Sequence, residues 1–391
     1  MGSEALGGPP NAARDPAEPI SESEQIRERE VRRRLAEAAG AVGRLRFDRF
    51  MEIALYASGV GFYTEPGAAI GPNGAFYTAA HASELFGRTV ARRIVEELER
   101  LGRPATFTVA EVGCGDGTLS ADILRAVRAT LGDSGPMRYL LVDRSPTMRA
   151  QAAERVAPVV AGSAIEVRAA DSLASDGPFA GVVVANELLD ALPFRRWIRR
   201  SGGWRELEVR LSEDSADWAE GDAAEAVPGP ELPAVGEGAV AEISPACEGF
   251  VREIADHLIA GAALLFDYGE EADALLRGHP SGTLAAVRHH RPMPDPLAHP
   301  GLLDLSAFVN FTRVRGAART AGLIERAFRP QAEALVAWGL PGLAETAIGA
   351  SEGEAESVRI RLSVKNLLFG FTGFKVLELA PTGPAGPGPT P

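Results

Sequence analysis

The strongest chemical signal in the chain is the run Phe107-Thr108-Val109-Ala110-Glu111-Val112-Gly113-Cys114-Gly115-Asp116-Gly117-Thr118-Leu119. It reads as an apolar strand ending at Glu111, a turn with three glycines, and a helix opening near Thr118. Glycines allow a tight turn and let a ligand approach the backbone closely. The helix start adds free N–H groups and the positive end of a dipole. The spacing is Gly-x-Gly-x-Gly and not the dinucleotide fingerprint, because Thr118 stands where that pattern needs its third glycine. An acid ahead of the turn suits a ligand with a cationic amino-acid end better than a pyrophosphate. Glu111, Gly113, Gly115 and Gly117 together therefore point to S-adenosylmethionine.

Such a turn needs a sheet to hold it, and ligands of open α/β sheets lie beyond the carboxyl ends of the strands. The next strand, Tyr139-Leu140-Leu141-Val142-Asp143, ends in a carboxylate able to accept both ribose hydroxyls. Ser145 is the better cap for the helix that follows, which leaves Asp143 free for that task. After a third strand comes Asp171, placed to accept an adenine amino group. A fourth strand, Val182-Val183-Val184-Ala185, leads into Asn186 and Glu187 at the mouth of the sheet. A fifth ends in Asp267 and Tyr268. Asn186, Glu187 and Asp267 are thus the candidates for chemistry at the transferred group. The Asn-Pro-Pro-Tyr pattern of some amino-group methyltransferases is absent.

Composition narrows the setting. The net charge of −13 argues against a broad nucleic-acid surface. Two cysteines, Cys114 and Cys247, give no disulfide framework and no zinc cluster, and a reducing cytoplasm is the expected compartment. No apolar run reaches about 18 residues, so no membrane span is expected, and Met1–Pro19 lacks the apolar core of a secretory signal.

The expected layout is a disordered tail over 1–20, a helical and lid segment over 21–106, and a ligand-binding core over 107–270. Helices are expected over the charged stretch 22–39, over 47–56 from apolar spacing, and over 83–101 leading into the glycine turn. An acidic Ala/Gly/Pro-rich insertion is expected near 211–240, with little core of its own. Helices and irregular segments over 271–380 follow, with late strands at Val364 and Phe374–Leu379, the second closing the sheet. A disordered tail over 381–391 ends the chain. Alternating strands and helices imply an α/β fold, a mostly parallel Rossmann-like sheet with helices on both faces.

Many short motifs occur in one order: Arg49-Phe50-Met51-Glu52, Gly61-Phe62-Tyr63, Phe76-Tyr77-Thr78, Glu111-Val112-Gly113, Ala185-Asn186-Glu187-Leu188-Leu189-Asp190-Ala191-Leu192-Pro193, Asp267-Tyr268-Gly269, His290-Arg291, Asn310-Phe311-Thr312 and Phe374-Lys375-Val376-Leu377. Over roughly 46–380 the chain resembles the MidA family of S-adenosylmethionine-dependent methyltransferases. The resemblance implies a class I methyltransferase sheet with an added helical portion over the site. It adds Thr78 to the cofactor residues and His290 to the catalytic candidates. The mitochondrial member of that family methylates arginine on a subunit of respiratory complex I, so arginine on a protein is the implied acceptor. Glu187, Asp190 or Asp267 would grip its guanidinium. The chain departs from the family pattern at Ala75, Ala79, Ala80 and Val287, in lid and substrate segments.

Two other readings stand beside this one. A small metabolite could be O-methylated, with His290 or Tyr268 assisting proton removal. A non-catalytic scaffold would need neither the glycine turn nor Asp143. Tyr56, Phe62, Tyr63, Phe76 and Tyr77 are candidates for an aromatic wall near the sulfonium, although helical spacing assigns Tyr56 to the core.

Overall fold

The computed structural model describes residues 20–65, 83–133, 137–213, 215–223 and 233–382. Thr78, the altered loop positions Ala75, Ala79 and Ala80, and the aromatics Phe76 and Tyr77 lie outside the described residues, as do nearly all of the two tails.

Ser21 opens the first helix, α1 (Glu22–Ala39), with a reciprocal capping box to Glu24. A short strand β1 (Arg44–Arg46) and helix α2 (Phe47–Tyr56) follow, the latter burying Phe47, Phe50, Met51, Ala54 and Leu55 on one face. Helix α3 (Glu84–Arg100) leads to the core. Strands β2 (Thr108–Val112), β3 (Met137–Val142), β4 (Ile165–Ala170) and β5 (Phe179–Asn186) alternate with helices α4 (Thr118–Leu131) and α5 (Pro146–Val160).

Between β5 and the long strand β10 (Leu258–Glu270) the chain builds a separate antiparallel sheet. Its strands are β6 (Arg195–Arg200), β7 (Gly203–Leu211), β8 (Ala216–Ala223) and β9 (Val240–Ile243), and β1 joins it through β7. Part of the stretch expected to be a coreless insertion is therefore strand: β8 pairs with β7 from Leu211–Ala216 to Arg205–Ala223. Helix α6 (Pro245–His257) then returns the chain to the main sheet.

The main sheet has the order β15-β16-β10-β5-β2-β3-β4, where β15 is Leu323–Pro330 and β16 is Phe374–Pro381. Strands β10, β5, β2, β3 and β4 are mutually parallel, and β16 runs antiparallel between β10 and β15. This is the expected class I methyltransferase sheet, with two corrections. β16 does not close it, because β15 forms the edge. Val364 lies in a helix, Glu354–Phe369, whose Leu367 is buried against the sheet-side core. Segment 271–380 also contributes a small sheet of β11 (Ala285–Arg288), β12 (Arg291–Pro292) and β13 (Asp304–Ser306), and a short strand β14 (Val309–Asn310) that pairs with the end of β10.

Apolar side chains on the two sheet faces form two cores, one under α3, α4 and α5 and one under α6 and the helix Phe311–Thr320. A third core joins α1 and α2 to β7 and to the small sheet through Phe47, Phe50, Val209, Leu303 and Leu305. This third core carries an N-terminal segment and β13 to the carboxyl end of the main sheet.

Candidate active site

A cavity of about 550 Å³ opens at the carboxyl ends of β2, β3, β5 and β10. One side is the glycine turn. The N–H groups of Gly113 and Cys114 donate to Val142 O at 2.8 and 3.1 Å, tying the turn to β3. Gly113 has φ +75°, and a Cβ there would meet Leu188 Cδ1 at 3.1 Å. Gly117, also at positive φ, does not line the cavity: a Cβ there would sit 2.6 Å from Ala152 Cα. Its part is to let the start of α4 pack against α5, which corrects its placement among ligand contacts.

Asp143 lies at the cavity wall. Its carboxylate accepts from Gly115 N (3.1 Å) and Ser145 N (2.8 Å), and Ser145, not Asp143, caps α5. Lone pairs remain on both oxygens for further donors. Glu111 is 3% exposed, and one of its oxygens accepts from both Ser120 Oγ (2.6 Å) and Tyr139 Oη (2.5 Å). Burial pushes its carboxyl up to about 7, against those two hydrogen bonds. Asp171 sits at the exposed rim and accepts from Ser175 at 2.9 Å. That hydrogen bond holds its carboxyl below the usual range.

Glu187 has φ +53°, a conformation uncommon for a side chain of its kind, and donates its N–H to Phe266 O at 2.9 Å. Asn186 beside it buries an Oδ1 that has no hydrogen-bond partner among the described residues. Both line the cavity. Asp267 does not. It is fully buried and accepts from the N–H groups of Leu189 (2.8 Å), Asp190 (3.3 Å) and Tyr268 (2.9 Å). The strand-end rule put it at the rim, but its side chain points into the turn and fixes the path of residues 187–190. His290 is also misplaced by the sequence. It is exposed at the turn between β11 and β12, with φ +62°, and is not among the cavity residues.

The opposite wall is acidic and aromatic. Tyr56, Tyr63, Asp190, Tyr268, Asp304 and Ser306 face the same space. Tyr63 donates to Asp304 at 2.5 Å, Tyr268 donates to Ser306 at 2.7 Å, and Tyr56 donates to Ala191 O at 2.9 Å. Tyr56 packs against the third core, as its helical spacing predicts, and also lines the cavity, whereas Phe62 is buried in that core. Burial raises the Asp304 carboxyl to about 6. Asp190 is raised by burial too, and its neighbour Asp304 adds to the effect. Arg144 lies 4.5 Å above the Tyr56 ring and pairs with Glu52 of α2, linking the Asp143 loop to the acidic wall. Asp304 and Ser306 went unnoticed in the sequence. They sit on a three-residue strand with no motif around it.

These groups fit S-adenosylmethionine: a carboxylate for a diol, a glycine cradle, a buried acid and an unpartnered amide oxygen. The parallel sheet with its antiparallel β16, and a cavity at the glycine turn, define a class I methyltransferase. A family model described as S-adenosyl-L-methionine-dependent methyltransferase matches residues 89–328, and the chain belongs to this family, the MidA family. A crystal structure of a Burkholderia thailandensis methyltransferase-superfamily protein bound to S-adenosyl-homocysteine is 30% identical. It has a TM-score of 0.80 and covers 92% of this chain and 94% of that one. The mitochondrial protein arginine methyltransferase NDUFAF7 of Xenopus tropicalis is 27% identical over 282 residues, 63% of this chain and 61% of that protein. Its Drosophila melanogaster homologue is 26% identical over 284 residues, 64% and 62%. The matches thus span about 61% of the Xenopus relative's length.

The chain thus has the fold and the family signature of S-adenosylmethionine-dependent methyltransferases. The expected cytoplasmic location is corrected by these relatives, which are named as mitochondrial. Among the described residues no helix is long and apolar enough to cross a membrane.

Proposed function

We propose that this enzyme methylates an arginine side chain on a protein. The observation that carries the reading is the wall of Glu187, Asp190 and Asp304, interleaved with Tyr56, Tyr63 and Tyr268, in the same cavity as the glycine turn. A guanidinium is a permanent cation with a planar fork of donors. Carboxylates grip it in pairs, and aromatic faces stabilise it.

S-adenosylmethionine supplies an electrophilic methyl group on a sulfonium. Asp143 would hold the ribose, Asp171 the adenine edge, and Glu111 with Asn186 Oδ1 the amino-acid end along the Gly113–Gly115 turn. Asp267 holds the 187–190 turn in place. The strained backbone at Glu187 aims that side chain into the cavity, between cofactor and acceptor. Catalysis then rests mainly on positioning and on excluding water. The O-methylation reading loses one of its two candidate bases, since His290 lies at the β11–β12 turn and not in the cavity, while Tyr268 lines it.

The test uses cofactor labelled in its methyl group and a cell lysate, separated afterwards into protein and small molecules. Label is expected in protein. It should fall strongly for Glu187→Gln while affinity for S-adenosyl-homocysteine stays the same. Label confined to small molecules overturns the reading.

A further inference from the structure

Methylating a guanidinium creates a proton that must leave the site. The nitrogen forms a bond to the methyl carbon as the carbon–sulfur bond breaks and its electron pair stays on sulfur. Sulfonium and guanidinium, each +1, give a neutral thioether, a methylguanidinium of +1, and one proton. Resting on the arginine reading above, we propose that Asp190 takes that proton and that Asp304 is the fixed anchor for the acceptor.

The two carboxylates share one wall but are held differently. Asp304 is fastened by the Tyr63 hydroxyl at 2.5 Å, with Tyr63 coming from the N-terminal segment after α2. The Leu305 N–H also donates to this carboxylate, so Asp304 is held fixed at the cavity wall, where its remaining lone pairs face the acceptor. Asp190 lies on the turn that Asp267 clamps from beneath. The Tyr268 hydroxyl reaches both the Asp190 carboxyl and Ser306 Oγ, the latter at 2.7 Å. A proton arriving on Asp190 therefore meets the hydroxyl pair of Tyr268 and Ser306 on the same wall.

The groups facing Asp190 come from every neighbouring element. They are Asp267 and Tyr268 on β10, Asp304 on β13, Tyr56 and Tyr63 from the N-terminal segment, Cys247 on α6, Glu187 on its own turn and Arg144 in the loop after β3. The cation among them, Arg144, lies over the Tyr56 ring and is paired with Glu52. Burial and the nearby carboxylates both favour the protonated form of Asp190. That suits a group that must gain a proton during the reaction. Two interacting acids titrate as a pair, so the profile belongs to the cluster and not to one residue.

The experiment measures initial methyl transfer from labelled S-adenosylmethionine into the protein fraction of a lysate, using the full chain, from pH 6 to 9.5. Asp190→Asn is expected to lower the plateau rate about 100-fold at pH 7. Its remaining rate should climb with pH where the wild-type profile has levelled. Asp190→Glu, which keeps a base, should recover at least tenfold over Asp190→Asn. Asp304→Asn should raise the half-saturating amount of acceptor protein more than it lowers the plateau. Calorimetry with S-adenosyl-homocysteine should show cofactor-site affinity within about threefold of wild type in all three.

An Asp190→Asn plateau within threefold of wild type overturns the proposal, as does an unchanged pH profile. If Asp190→Asn fails to bind S-adenosyl-homocysteine, Asp190→Glu decides alone: a wild-type pH profile refutes the role and a displaced one supports it. Wild-type label on small molecules is a different failure, that of the arginine reading itself.

Discussion

Replacing Glu111 by Gln should stabilise the ligand-free protein at alkaline pH while weakening its hold on the cofactor. Glu111 is 3% exposed and its carboxyl is raised by burial from 4.5 to about 7. Between those values the folded protein binds a proton that the unfolded chain has lost. Stability therefore falls as pH rises through this window, by about 3 kcal/mol in all. Glutamine does not titrate. Because Ser120 and Tyr139 donate to one oxygen of Glu111, the amide oxygen of Gln can keep both and turn its nitrogen toward the cavity. For 391 residues the unfolding entropy is roughly 0.8 kcal/mol/K. The gain at pH 8 then corresponds to about 4 °C in Tm.

The assay is thermal unfolding of both proteins from pH 4.5 to 8.5, without ligand and with S-adenosyl-homocysteine. The wild type should lose stability as pH rises, and the difference between the two should open between about pH 5 and pH 7. Cofactor affinity should drop roughly tenfold or more, as expected when a charged hydrogen-bond acceptor is neutralised. A variant less stable than wild type at pH 8, or a difference that does not change with pH, refutes the reasoning.

Other perturbations separate the parts of the site. Gly113→Val should abolish S-adenosyl-homocysteine binding in calorimetry, because the side chain strains a φ of +75° and meets Leu188. Asp143→Ala should weaken the same binding about tenfold or more by removing a ribose acceptor, and unchanged affinity would relocate the ribose. His290→Ala should leave methyl transfer at wild-type rate, since the side chain lies outside the cavity. Glu97→Ala should cost about 3–5 kcal/mol in denaturant unfolding. Glu97 is fully buried and binds Arg93 (3.3 Å), Arg100 (2.6 Å) and Arg326 (3.0 Å). Burial alone would raise its carboxyl, yet the arginines lower it. Its contribution is therefore present above pH 4.5 and lost as pH falls toward the lowered value, a decline that Glu97→Ala should no longer show.

The parts of the fold that could be read from sequence are those where local pattern and burial agree. Helix α2 has apolar residues at helical spacing, and its buried face is the one that spacing marks. The parallel strands are apolar runs ending in polar residues, so Glu111, Asp143, Asn186 and Glu187 were placed at the cavity without a structure. Strands β6 and β7 carry an alternation around Trp197 and Trp204, but the acidic Ala/Gly/Pro-rich stretch that follows masks the sheet they form. Residues 358–364 alternate as a strand would, yet Ile360, Val364 and Leu367 pack as a helix against the main core. There tertiary burial outweighs the local pattern.

The acceptor wall was harder for a physical reason. Tyr63 and Asp304 are 241 residues apart, and a third core, not a motif, brings them together. Strand-end position alone could not tell Glu187, aimed into the cavity, from Asp267, turned into the backbone behind it. The His290 resemblance carried residue type but not the direction in which the β11–β12 turn points.

The decisive measurement is the chemical identity of the methylated group. Protein labelled by the purified enzyme from methyl-labelled S-adenosylmethionine should be hydrolysed to amino acids and the products separated. The acidic and aromatic wall predicts label on methylated arginine, stable to mild base. Label on lysine or glutamine, or label released by mild base as from a carboxyl ester, contradicts it.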